Sequence, residues 1–191
     1  NKLKALYDSW LSKMEEKANN LEEVHQDTAN RNIAKCRKAL SRMKEGISLI
    51  KNDETIMTAF RLMNRAILLQ HLKTKQKALE WEINGRDHVL SQVYREIDIN
   101  DSKTWPDLNY IPAWYPYQVA FILINIKSIV DPTSTDRDNV ECLWFPTGGG
   151  KTEAYLGLIG FSIFYRKLMN PDSSGVIAVM RYTLRLLTAQ Q

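Results

Sequence analysis

The sequence predicts an α/β fold: a helical N-terminal region, either a hairpin or a small bundle, followed by the start of a domain built on a parallel sheet. Three observations predict it. Through the first half, apolar residues recur at three- and four-residue spacing, the mark of helices with one buried face. Beyond residue 113, short β-branched runs alternate with longer apolar-striped ones, the order of strand–helix units around a parallel sheet. At one strand-to-helix junction stand three consecutive glycines, Gly148, Gly149 and Gly150, followed by Lys151 and Thr152.

The helical region is expected over residues 1–100. Leu3, Leu6, Tyr7, Trp10, Leu11 and Met14 form one stripe, and Ile33, Cys36, Leu40, Met43, Ile47 and Ile50 a second. Asp27 and Thr28 are candidate N-caps for the second helix, and Asn52 or Asp53 for a third, "ETIMTAFRLMNRAILLQHL". Helix breakers are sparse until Asn84-Gly85. The stripes either brace the domain that follows or offer a docking surface to a partner protein. A linker rich in turn formers covers residues 101–113. From residue 114 to 191, "YQVAFILINIKSIV" reads as a buried helix and "VECLWF" as a short strand. "KTEAYLGLIGFSIFYRKLM" reads as a helix lying on a sheet, "GVIAVM" as another strand, and "TLRLLTAQQ" as the opening of a further helix.

Composition narrows the function classes. The chain has 191 residues, 44% apolar and 25% charged, which suits a soluble globular protein with a substantial core. No apolar run nears the roughly 20 residues of a membrane span, and no membrane partner is expected. Cys36 and Cys142 match no metal or redox spacing, which fits a reducing cytoplasm. The net charge of +4 lies in residues 1–105, with 19 basic against 15 acidic residues; the remainder is neutral. Such an excess permits contact with a polyanion without requiring it. His25, His71 and His88 form no metal-ligand spacing, and "KTKQK" at 73–77 reads first as a solvated helix face. The opening Asn1 and the amphipathic pattern still running at Gln191 suggest a piece of a longer protein.

The glycine triplet carries the chemistry. A polyphosphate needs several donors at close range, and main-chain N–H groups supply them only where no side chain blocks the approach and φ > 0 is accessible. The helix that follows adds its free N–H groups and the positive end of its dipole. Lys151 would then reach the β- and γ-phosphates, and the Thr152 hydroxyl would hold Mg²⁺. Thr147, Gly148, Gly149, Gly150, Lys151 and Thr152 are therefore the candidate site for ATP and Mg²⁺, with Lys151 and Thr152 the catalytic pair.

The string "FPTGGGKT" resembles the first motif of superfamily-2 helicases, although Phe145 stands where the general nucleotide-binding pattern has glycine. "WYPYQ", Trp114 to Gln118, resembles the aromatic/proline–glutamine stretch of the same superfamily. That resemblance gives Gln118 the adenine, through paired contacts to N6 and N7, with Tyr115 available for stacking; the plain alternative is a helix-capping glutamine after a proline turn. "TLRLLTAQ" resembles the motif "PTRELAxQ", which implies backbone contacts to nucleic acid from Arg185, Thr188 and Gln190; an ordinary amphipathic helix is the alternative. Together with "AFRLMNRAILLQ", these stretches resemble the large helicases of DISARM bacteriophage-defence systems, with Druantia-type helicases second. The resemblance implies a RecA-like domain, running here as far as the "PTRELAxQ"-like motif, in a cytoplasmic, ATP-driven DNA helicase or translocase. It further implies single-stranded DNA, or a duplex with a single-stranded end, as substrate and a defence-system subunit as partner. Two other readings stay open: a P-loop ATPase without a nucleic-acid partner, and a nucleotide-sensing scaffold or partner-binding module. After Lys151 the chain offers only Glu153 and Asp172 as acids, so these 191 residues alone are expected not to hydrolyse ATP usefully.

Overall fold

The computed structural model describes residues 2–76, 80–90, 96–146 and 148–181. Among the described residues, five α-helices, two short 3-10 helices and one two-stranded antiparallel sheet make up the regular structure. Helix α1 spans Lys2–Asn19 and buries Leu11 and Ala18. The chain reverses at Asn20 and Leu21, whose N–H groups donate to Lys17 and Ala18. Helix α2 then runs over Glu23–Asn52 and buries Leu40, Met43, Gly46 and Ile50. Asp27 and Thr28, the expected caps, lie inside α2. Nothing in "EEVHQD" interrupts a helix, and Glu23 in the first turn suits the positive dipole end, so the helix starts earlier. Helix α3, Glu54–Thr74, does begin at an expected cap: Asp53 accepts from the Ile56 N–H at 2.9 Å.

Helix α4, Pro116–Val130, opens on a proline whose missing N–H costs a first helical turn nothing. Helix α5, Lys151–Met169, follows the glycine triplet. Helix α1 packs on α2, α2 on α4, α3 on α5, and α4 on α5. One apolar core therefore joins Leu11, Leu40 and Met63 of the first three helices to Ile122, Ile126 and Phe161 of the last two. Each such side chain contributes about 1.5–3 kcal/mol by leaving water. Glycine sets two of the close approaches. A Cβ on Gly46 would lie 2.2 Å from the Leu123 carbonyl oxygen of α4, and one on Gly157 would lie 2.9 Å from the Trp114 ring.

The parallel sheet expected from "VECLWF" and "GVIAVM" does not form among the described residues. Both stretches lie outside regular secondary structure and make no ladder. A strand is stabilised by a neighbour that takes its main-chain hydrogen bonds, and neither segment has one here. Their side chains are correspondingly open to solvent: Val140 is 96% exposed, Trp144 92%, Val176 78% and Val179 77%. The sheet that is present was not expected. Strands β1, Trp81–Asn84, and β2, Asp87–Leu90, form a hairpin with Asn84 opposite Asp87 and Gly85 at φ 66° in the turn. The Asn-Gly pair between β-formers is the signal for it. Among the described residues no helix is long and apolar enough to cross a membrane.

Candidate functional site

The glycine loop lies between the irregular segment ending at Pro146 and the first turn of α5. Gly148 has φ 77° and Gly150 φ 88°, both in the left-handed region that favours glycine. The Gly149 N–H donates to the Pro146 carbonyl at 3.1 Å, closing a turn between them. A Cβ on Gly148 would meet open space, so that face of the loop is bare main chain. Gly150 is the N-cap of α5, and no side chain caps the helix. Its first N–H groups are left for an anion, and the dipole adds positive potential there. Lys151 and Thr152 occupy the first turn, with Thr152 exposed. These residue types and this backbone fit a phosphate chain with a bound magnesium ion. The Lys151 ammonium is turned inward, donating to the carbonyls of Phe145 at 2.7 Å and Pro146 at 2.9 Å.

A second layer holds the loop from behind. Gln118 is buried, with 4% of its surface exposed. Its Oε1 accepts from the Tyr115 N–H at 2.7 Å, and its Nε2 donates to the Gly150 carbonyl at 2.7 Å. The first contact caps α4 and the second ties α4 to the loop. The Tyr117 hydroxyl donates to the Gly149 carbonyl. Its ring stacks on Phe145 with centroids 3.9 Å apart, and Tyr115 lies beyond it at 6.2 Å with rings 9° from parallel. Burial, followed by the Glu153 carboxylate, pushes the Tyr117 hydroxyl pKa above its ordinary value, so it remains a donor at neutral pH.

The helical region reaches the segments flanking the loop at two points. Trp114 donates from Nε1 to Asn64 Oδ1 of α3 at 2.7 Å. Arg42 of α2 sits with only 11% of its side chain exposed, its Nε 3.0 Å from Asp136 and its Nη1 2.5 Å from Glu141. Glu141 lies in the segment that leads into the loop. A separate cleft of about 930 Å³ opens at the far end of α5, beside Arg166 and Met169, and contains none of the loop residues.

Gly148, Gly149, Gly150, Lys151, Thr152 and Gln118 thus come together in one place. Thr147, Arg185, Thr188 and Gln190 lie outside the described residues. Sequence reasoning missed Tyr117, Asn64 and Arg42. Tyr117 has a faint signal, two positions after Tyr115 and directly before Gln118. Asn64 and Arg42 have none, because their partners are 50 and 99 residues away.

No protein-family model matches the chain. Among curated proteins it is similar to the DISARM protein DrmA of Bacillus paralicheniformis (strain ATCC 9945a / NCIMB 11709 / CD-2), at 37% identity over 200 residues. That alignment takes in 100% of this chain and 16% of the relative, so the chain spans about one sixth of the relative's length. Similarity at this level over the whole of the chain supports a DrmA-like DISARM protein.

Proposed function

We propose that the chain is the ATP-binding portion of a superfamily-2 DNA helicase or translocase acting in antiphage defence. One observation carries the nucleotide site: two left-handed glycines lead into an uncapped helix start that bears Lys151 and Thr152. In this reading Gly148, Gly149 and Gly150 present main-chain N–H groups to the phosphates, and Thr147 adjoins them. Lys151 exchanges the Phe145 and Pro146 carbonyls for the β- and γ-phosphates, and Thr152 holds magnesium. Bound magnesium would neutralise charge developing between those phosphates. Gln118 keeps Gly150 in place from the buried side.

Hydrolysis needs further groups. A carboxylate must complete the magnesium site, another must orient water, and an arginine must meet the transition state. Glu153 and Asp172 are the only acids after Lys151, and neither ends an apolar strand. In the whole protein those groups belong to other segments, and Val140, Trp144, Val176 and Val179 pack into a RecA-like parallel sheet with strands from them. Arg185, Thr188 and Gln190 then touch the DNA backbone, and the other subunits of a DISARM system in the cytoplasm are the partners. The similarity to a DISARM protein supports the defence role, and the "TLRLLTAQ" stretch supports nucleic acid over a stand-alone ATPase.

The test is ATPase activity of the full-length protein with and without single-stranded DNA, beside Lys151→Ala. Stimulation by DNA and loss of turnover in Lys151→Ala are expected. Unchanged nucleotide affinity and turnover in that variant would remove the site assignment. The 191-residue chain alone is expected to show no useful turnover.

A further inference from the structure

We infer that the site selects a triphosphate and not a base: it takes ATP, GTP, CTP and UTP alike, and Gln118 positions the loop instead of reading adenine. This inference rests on the phosphate-loop reading above and deepens it.

Reading adenine requires an amide that can accept from N6 and donate to N7 together. The Gln118 amide is committed at both ends, to the Tyr115 N–H and the Gly150 carbonyl, each at 2.7 Å. At 4% exposure the residue is covered by protein, and no edge of it is free for a base to approach. The contrast with Lys151 is instructive. Lys151 also has main-chain partners, but its ammonium bonds lie at the exposed surface and can be exchanged for a phosphate without unpacking anything. Releasing Gln118 would open the cap of α4 and the Gly150 contact inside the packed layer.

What the site does present beside the loop is an aromatic ladder. Phe145, Tyr117 and Tyr115 lie near parallel, with interplanar angles of 16° and 9°. Tyr117 is fixed to the loop by its bond to the Gly149 carbonyl, and the Phe145 ring lies against Gly149. Tyr115, at the outer end, is 61% exposed. Stacking on such a platform tolerates any base, because every base has a π-face. Discrimination would instead come from a hydrogen-bonding edge, and the amide that would supply it is buried.

The experiment is displacement of a fluorescent ribose-labelled ATP analogue from the full-length protein by each of the four nucleoside triphosphates with Mg²⁺. All four are expected to compete within about fivefold of one another, a smaller spread than a single base-reading contact would produce. A preference for ATP larger than that overturns the inference. Gln118→Met, near in shape and uncharged, gives the second readout: affinity for all four should drop together, about tenfold or more. A loss confined to ATP, or no loss, overturns the positioning role. Should Gln118→Met not fold, the wild-type comparison decides alone. Failure of the underlying reading looks different: no nucleotide binds, or Lys151→Ala binds all four as wild type does.

Discussion

The helix crossing that carries the site can be tested by adding one methyl group. In Gly46→Ala the new Cβ would lie 2.2 Å from the Leu123 carbonyl oxygen and 3.0 Å from its carbon. Ordinary contact begins near 3.4 Å, so α2 and α4 would have to separate by about 1 Å, against interiors packed as densely as crystals. The obstacle is main chain, with no flexible tip to move aside. Overpacking of this kind costs about 1–3 kcal/mol. Alanine's better helix propensity returns up to about 1 kcal/mol. With main chain as the obstacle the cost lies at the upper end of that range, so the net loss is about 2 kcal/mol, and the thermal midpoint should fall by about 4–8 °C for a chain of this size. Thermal unfolding followed by circular dichroism reads it directly. Gly160→Ala is the matched control, because its Cβ would meet only Met63 Cγ at 3.5 Å, an ordinary contact. The control should hold or raise the midpoint. A Gly46→Ala chain as stable as the wild type would refute the close α2–α4 crossing.

Arg42→Ala should cost about 3 kcal/mol, since it leaves Asp136 and Glu141, 14% and 29% exposed, without their cation. Lys127→Ala breaks the open Lys127–Glu45 pair and should leave the thermal midpoint unchanged; equal effects from the two variants would count against a special place for Arg42. The α1–α2 hairpin should be acid-sensitive. Hydrogen bonds from Arg37 hold the Asp8 and Glu15 carboxyls below their usual 3.8 and 4.5. Because the folded values are depressed, this stabilisation is full above the unfolded values and is lost as pH falls through the folded ones. The difference in midpoint between wild type and Arg37→Leu should accordingly shrink toward zero below about pH 4; a difference constant from pH 7 to 2 would contradict the pairing.

Much of the fold was legible in the sequence because helices announce themselves locally. The stripe from Ile33 to Ile50 and the Asp53 cap depend on residues within a few positions of one another, and both were found where expected. The start of α2 is not legible: Asp27 and Thr28 have the residue types of caps but lie inside the helix, and the reversal at Asn20 and Leu21 uses main-chain bonds that leave no residue signature. The two expected strands rest on β-branched composition alone. Such composition says that a segment suits a sheet and does not supply the neighbour that makes it one. The glycine loop was legible as a unit, since its residue types are contiguous. Its supports were not: Arg42 and Asn64 act across the fold, and no pattern in one sequence links them to Glu141 or Trp114.

The inward-turned Lys151 has a thermodynamic consequence. The loop carries its own cation against its own carbonyls, so an arriving anion is a competitor for an ammonium already engaged. The free energy measured for any such arrival is the new contact minus the two that are surrendered. Removing the lysine deletes both sides of that exchange, and the change seen in Lys151→Ala will understate how strongly the ammonium grips whatever it finally holds.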